Sequence, residues 1–283
     1  MMRTHLKAAH RGERIMLTDS FLSIANAARQ LLKNWRALLL LALVYAGLLA
    51  SLYLFVSIRE ASAGQVAMTL ALAIAAPALF FLLQTTSARQ TNCPRFGVLL
   101  NDSLRNTWKV FLVSVPLIVL AALAFYLLTR VQTYLGVVDR APQIQPAQVA
   151  EGQPLEWSIV GLTTVRYVLI GAVLPLVMIH FWIATVHQGI VATVKKARAL
   201  FARAFSAQAV LIYMAGFVVF GLVPYVLLFW ATASTNARLE VGLFVARLAG
   251  VFMLTLFGWV VTMNALANSA SQTTSTLQVK ANQ

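Results

Sequence analysis

Cysteine is nearly absent: Cys93 stands alone among 283 residues. One thiol makes no intrachain disulfide, and none of the cysteine spacings of metal sites can occur. Charge is scarce as well, at 11% of residues, against roughly 25% in a soluble domain. Acids are scarcest: 8 Asp and Glu stand against 22 Lys and Arg, a formal net charge of +14. No acid lies deep in an apolar run, which argues against a proton relay built on buried carboxylates. His-Glu-x-x-His, Gly-x-Ser-x-Gly and glycine-rich phosphate loops are all missing. These absences lead us to expect no enzyme, no cofactor and no metal site.

Apolar residues are what the chain has in plenty, 60% of the total. They form six long runs, at about 36–58, 65–86, 109–130, 164–186, 208–231 and 241–266. Each exceeds the 18 or so residues that a helix needs to cross roughly 30 Å of hydrocarbon. The expected fold class is therefore all-α, a polytopic membrane protein with six transmembrane helices. The N-terminal stretch MMRTHLKAAHRGERIMLTDS is basic but has neither an apolar core nor a small-residue cleavage site. It is read as retained rather than as a cleaved signal.

The bases are distributed unevenly. Arg3, Lys7, Arg11, Arg14, Arg29, Lys33 and Arg36 precede the first run. Arg89, Arg95, Arg105 and Lys109 lie between the second and third, and Lys195, Lys196, Arg198 and Arg203 between the fourth and fifth. Lys280 is on the tail. The opposite side holds Arg59, Arg130, Arg140, Arg166, Arg238 and Arg247, mixed with Glu60, Asp139, Glu151, Glu156 and Glu240. The positive-inside rule then places both termini in the cytoplasm, and the membrane is expected to be a bacterial cytoplasmic membrane. Bases flanking hydrophobic spans attract anionic lipid headgroups at about 1 kcal/mol each, so the expected partners are membrane lipids, not nucleic acid.

A polar patch, a Trp, a base and an apolar run occur twice, as LLKNWRALLL at 31–40 and LRNTWKVFLV at 104–113. Around them, 18–35 and 95–108 read as amphipathic helices suited to the headgroup layer, and 191–208 reads as a third. Asp19 or Ser20 is the expected cap of the first. Trp35, Trp108 and Phe205 are the expected interfacial anchors. The chain thus reads as a single membrane domain of three repeat-like units, about 18–90, 91–190 and 191–267. Each would be an interfacial helix followed by a two-helix hairpin. The outer loop 131–163 and the tail 268–283 are polar and expected to be extended or loosely ordered. Pro77, Pro116, Pro175 and Pro224 lie inside spans, where each removes a backbone hydrogen bond and can kink the helix.

Three ionisable residues in the spans invite a functional reading. His180 in PLVMIHFWIATVHQ is either a solute contact or a neutral histidine bonded between helices. Arg166 and Arg247 are either contacts for a lipid phosphate or solute anion, or snorkelling side chains near the outer surface. For Arg247, reaching outward to Glu240 is the structural alternative. Stretches such as YAGLLAS, ALAIAAPA and ARLAG permit close helix packing.

The stretch FLSIANAARQLLKNWRALLLL, residues 21–41, resembles the membrane domain attached to certain bacterial glycerophosphodiester phosphodiesterases and related six-helix families. The resemblance implies a six-helix membrane layout. It carries no catalytic residue across, because in that family the chemistry belongs to a separate soluble domain. The expected function is a non-enzymatic accessory subunit or scaffold of a membrane complex, with a protein partner or a second copy. The alternative is a transporter or lipid-handling protein with a cavity between the three units.

Overall fold

The structure, a computed structural model, describes the backbone of residues 2–58, 62–90, 96–134, 157–230 and 237–281. Side chains are described for 18–58, 62–90, 96–134, 160–230 and 238–269. Every described element is a helix, and six stretches are long and apolar enough to cross a membrane. This is the architecture of a multi-pass membrane protein. Cys93, Arg95, Arg59, Glu60, Asp139, Arg140, Glu151 and Glu156 lie outside the described residues.

Helix α1, Met2–Lys33, starts far earlier than the sequence reading placed it. Asp19 and Ser20 therefore sit inside the helix and do not cap it. The preceding residues contain no proline and are rich in Ala, Leu, Lys and Arg, which favour helix. A break at Asn34, whose side chain accepts from Ala37 N–H at 3.4 Å, opens α2, Trp35–Ser57. Ser62 caps α3, Ala63–Arg89, in the same way through Gln65 N–H.

Helix α4, Phe96–Tyr134, merges the expected interfacial segment and the span behind it into one 39-residue helix. No glycine or proline interrupts the junction. Asn106 and Thr107 return their side chains to the carbonyls of Asp102 and Ser103 at 2.8 Å each, so no capping break forms there. The expected loop 131–163 is shorter than the sequence suggested. Its first residues complete α4, and α5, Trp157–Val168, begins before its end. A π-helical turn, Leu169–Val173, joins α5 to α6, Leu174–Gln188.

Gly189, at φ 82°, ends α6. It is the only described residue with positive φ, a conformation glycine adopts without penalty. The expected third amphipathic helix, 191–208, is broken: α7, Ile190–Lys195, and α8, Ala197–Ala204, are separate, and Ser206 caps α9, Ala207–Phe217. A second π-helical turn, Val218–Leu222, leads into α10, Val223–Phe229. Helix α11, Ala237–Ala281, then runs through the polar tail, which contains neither glycine nor proline to stop it. The three segments read as alike in sequence thus take three different forms. Pro175 and Pro224 each follow a π-helical turn, whereas Pro77 and Pro116 sit within unbroken helix.

Burial is confined to one end. On α2 it stops at Ser51, and on α3 it starts at Ala76. On α4 it stops at Leu117; on α6 it starts at Leu176, and on α11 at Leu256. Past Gly216 on α9–α10 only Pro224 is buried. This buried end carries the bases Arg29, Lys33, Arg36, Arg89, Arg105, Lys109, Lys195, Lys196, Arg198 and Arg203. Here α3, α4, α6, α9 and α11 pack on one another, and α1 packs on α9 and α11. At the far end large apolar side chains stand bare, among them Val56, Ile74, Val119, Tyr167 and Val241.

Glycine sets the closest approach. A Cβ on Gly216 would fall 1.9 Å from Thr262 Oγ1, and one on Gly258 would fall 2.9 Å from Phe220 Cβ. So α9 and its π-helical turn cross α11 backbone to side chain, as small residues allow in membrane helices.

Candidate functional site

The residues singled out in the sequence are held in three separate places. His180 is 4% exposed, and its Nδ1 lies 2.8 Å from the Leu176 carbonyl one turn back. A carbonyl only accepts, so Nδ1 carries the proton in this contact. The histidine is bonded within its own helix, not between helices as the structural alternative had it. Arg203 on α8 stands within electrostatic reach. Trp182 on the same helix donates to Ser114 Oγ on α4 at 2.7 Å, which pins α6 to α4.

Arg166 lays its guanidinium over the Phe125 ring at 4.2 Å, a cation–π contact between α5 and α4. Arg247 donates to the backbone carbonyl of Trp230 beyond the end of α10. The sequence reading had offered it Glu240; the structure also brings it to a carbonyl at the end of a neighbouring helix. Trp35, Trp108 and Phe205 are all exposed. Trp108 stacks on Phe111 at 5.6 Å, and Arg36 lies 5.7 Å from the Trp35 ring. In α1, Ala27 and Leu31 turn inward while Phe21 and Leu32 stay exposed, as does Trp35 at the start of α2.

The sequence reading overlooked a buried polar seam. It runs along the end of α3, in QTTSARQ at 84–90. Gln84, Thr85, Thr86, Ser87 and Gln90 are all buried. Trp259 on α11 donates to Gln84 Oε1 at 2.8 Å. Thr85 and Thr107 hydroxyls meet at 3.1 Å, tying α3 to α4. Thr86 and Ser87 donate back to the carbonyls of Leu82 and Leu83. Next come Arg89, with Nη2 3.9 Å from Asp102 Oδ2, and His187, beside the Ala88 carbonyl. On α4, Lys109 donates to Asn106 Oδ1 at 2.9 Å. Nearby on α8, burial pulls the Arg203 guanidinium down from its ordinary value. Neutral Gln, Thr and Ser carry no charge signal in a sequence; a run of them at the end of an apolar span is the one clue that was available.

The seam leaves some atoms unpaired. Arg89 Nε, both amide atoms of Gln90, Ser103 Oγ and Asn264 Oδ1 are buried without a hydrogen-bond partner. Among the described residues, no three of His, Cys, Asp and Glu come together as a metal site.

Comparison with protein families, with curated proteins and with solved structures finds no match to this chain. The functional reading therefore stands on the residues alone.

Proposed function

We propose that the chain is a non-enzymatic integral membrane protein, an accessory subunit or scaffold of a membrane complex. In this reading it sits in a bacterial cytoplasmic membrane with both termini and the base-rich end in the cytoplasm, as the charge asymmetry directs. The six long helices form three hairpins. A rim of α1, the start of α4 and α7–α8 lies at the headgroup level, seated by Trp35, Trp108 and Phe205. The three units share a plan rather than a copied structure. The likeness of residues 21–41 to the membrane domain of glycerophosphodiester phosphodiesterases belongs to the same proposal.

One observation carries it. The base-rich halves of the helices bury large side chains against one another, with Trp182, Ile179, Val260 and Met263 at 2% exposure or less. The far halves leave apolar faces uncovered, such as Leu70 and Ile74 on α3 and Val241 and Val245 on α11. Uncovered apolar faces suit another hydrophobic helix or a lipid tail.

The lipid-handling alternative keeps one argument of its own. Far from the core the helices leave apolar side chains exposed, which acyl chains satisfy as readily as a partner does. The test is native mass spectrometry after gentle solubilisation. A scaffold carries a second polypeptide at fixed stoichiometry, and the triple variant Leu70→Ala, Ile74→Ala and Val245→Ala releases it. A wild-type chain that always appears as a monomer with lipid adducts rejects the scaffold in favour of lipid handling.

A further inference from the structure

Arg89 closes α3, and Ser103 lies in the second turn of α4. The Thr85–Thr107 contact and the Arg89–Asp102 approach fix these helices as antiparallel. Moving four residues along each from Thr85 and Thr107 brings Arg89 opposite Ser103. The two share a property rare in folded proteins, where nearly all buried polar groups are paired. Ser103 is fully buried and its hydroxyl has no partner; the Nε–H of Arg89 is likewise buried and unpaired. Gln90, the next residue, is 6% exposed, with neither amide atom bonded. Asp102 holds Arg89 only at ion-pair range, since 3.9 Å is too long for a hydrogen bond.

A guanidinium N–H and a hydroxyl at opposite positions of two packed helices, both buried and unpaired, suit a ligand that offers several oxygens and negative charge. The depth narrows it further. Arg89 ends an apolar span, and α4 carries Arg105, the exposed Trp108 and Lys109 on its neighbouring turns. Bases and an exposed tryptophan mark the level of headgroup phosphates. We propose that Arg89 and Ser103 form a binding site for a phosphate group, presented by a lipid headgroup or free in solution. Asp102 is the competing acceptor: the phosphate takes the guanidinium that the carboxylate holds only loosely. The site does not rest on the scaffold reading, and a chain that binds no partner still tests it.

The test uses the full chain, purified in detergent, with two probes. Phosphatidylglycerol is titrated and counted as adducts by native mass spectrometry; inorganic phosphate is titrated by calorimetry. Retention of phosphatidylglycerol alone assigns the site to a headgroup, and binding of inorganic phosphate assigns it to the free ion. For whichever probe binds, Ser103→Ala and Arg89→Gln each weaken binding roughly tenfold, the scale of a hydrogen bond to a charged group. Asp102→Asn tightens it. The proposal is overturned if neither probe binds the wild type, if Ser103→Ala binds as the wild type does, or if Asp102→Asn abolishes binding. Should Arg89→Gln fail to fold, the Ser103 and Asp102 variants decide.

Discussion

The Tyr213 hydroxyl on α9 donates a 2.6 Å hydrogen bond to the Gly171 carbonyl, inside the π-helical turn that precedes Pro175. Proline has no N–H, so the carbonyl four residues before it loses its helical donor. Gly171 lies four residues before Pro175, inside a turn where the Leu174 N–H reaches five residues back to the Leu169 carbonyl. A side chain from another helix gives the Gly171 carbonyl a donor beside this disturbed backbone. Tyr213→Phe removes the donor and leaves the carbonyl bare. The expected cost is about 1–3 kcal/mol, read as a lowered midpoint in thermal or denaturant unfolding in detergent. In a Pro175→Ala background, which restores a backbone N–H, Tyr213→Phe costs less. Equal costs in both backgrounds reject the link.

Gly216 makes a second, steric prediction. Because its absent Cβ would lie 1.9 Å from Thr262 Oγ1, Gly216→Ala forces α9 away from α11. Overpacking of this kind typically costs about 1–3 kcal/mol. Thr262→Ala removes the two nearest clashing atoms and recovers part of the loss. Unfolding midpoints of the two single variants and the double variant give the coupling directly. Additive losses mean that the helices do not cross at this pair.

These two contacts show what a sequence can and cannot disclose in such a chain. The six spans were legible because an apolar run 18 or more residues long has few alternatives. Proline was legible as a break in bonding, yet the residue that repairs it, Tyr213, lies 42 positions from Gly171. The continuity of α4 through Trp108 was missed because an amphipathic and an apolar stretch can share one helix. The helical tail was missed because polar composition was taken to mean extended chain, although nothing in it breaks a helix. His180, Arg166 and Arg247 drew attention by their charge and proved to be held separately. The Gln84–Gln90 seam escaped because its meaning arises only once α4 and α11 are laid against it.

Arg247 gives a third test. A backbone carbonyl accepts from an ammonium as well as from a guanidinium, so Arg247→Lys keeps the tie to Trp230 and changes stability by less than about 1 kcal/mol. Arg247→Gln shortens the side chain and removes its charge, and lowers the melting temperature more. If lysine is as damaging as glutamine, the guanidinium serves a planar acceptor other than the carbonyl.

Orientation is tested by thiol labelling in a Cys93→Ala background. A cysteine at Gln143 reacts with an impermeant reagent in intact cells; one at Ser275 reacts only after permeabilisation. The reverse pattern inverts the molecule and places the base-rich end outside.

The account's central claim is that one end of the bundle is filled by its own side chains while the other is covered by something else. Site-specific photo-crosslinking in the native membrane tests this most directly, with the reactive group placed at Ile74, Val119 and Val245 in the far half and at Trp35 on the rim. The prediction is a protein adduct of one discrete mass from at least one far-half position, with Trp35 yielding lipid adducts. Lipid adducts alone from all three far-half positions would contradict it and make the uncovered faces a seat for acyl chains.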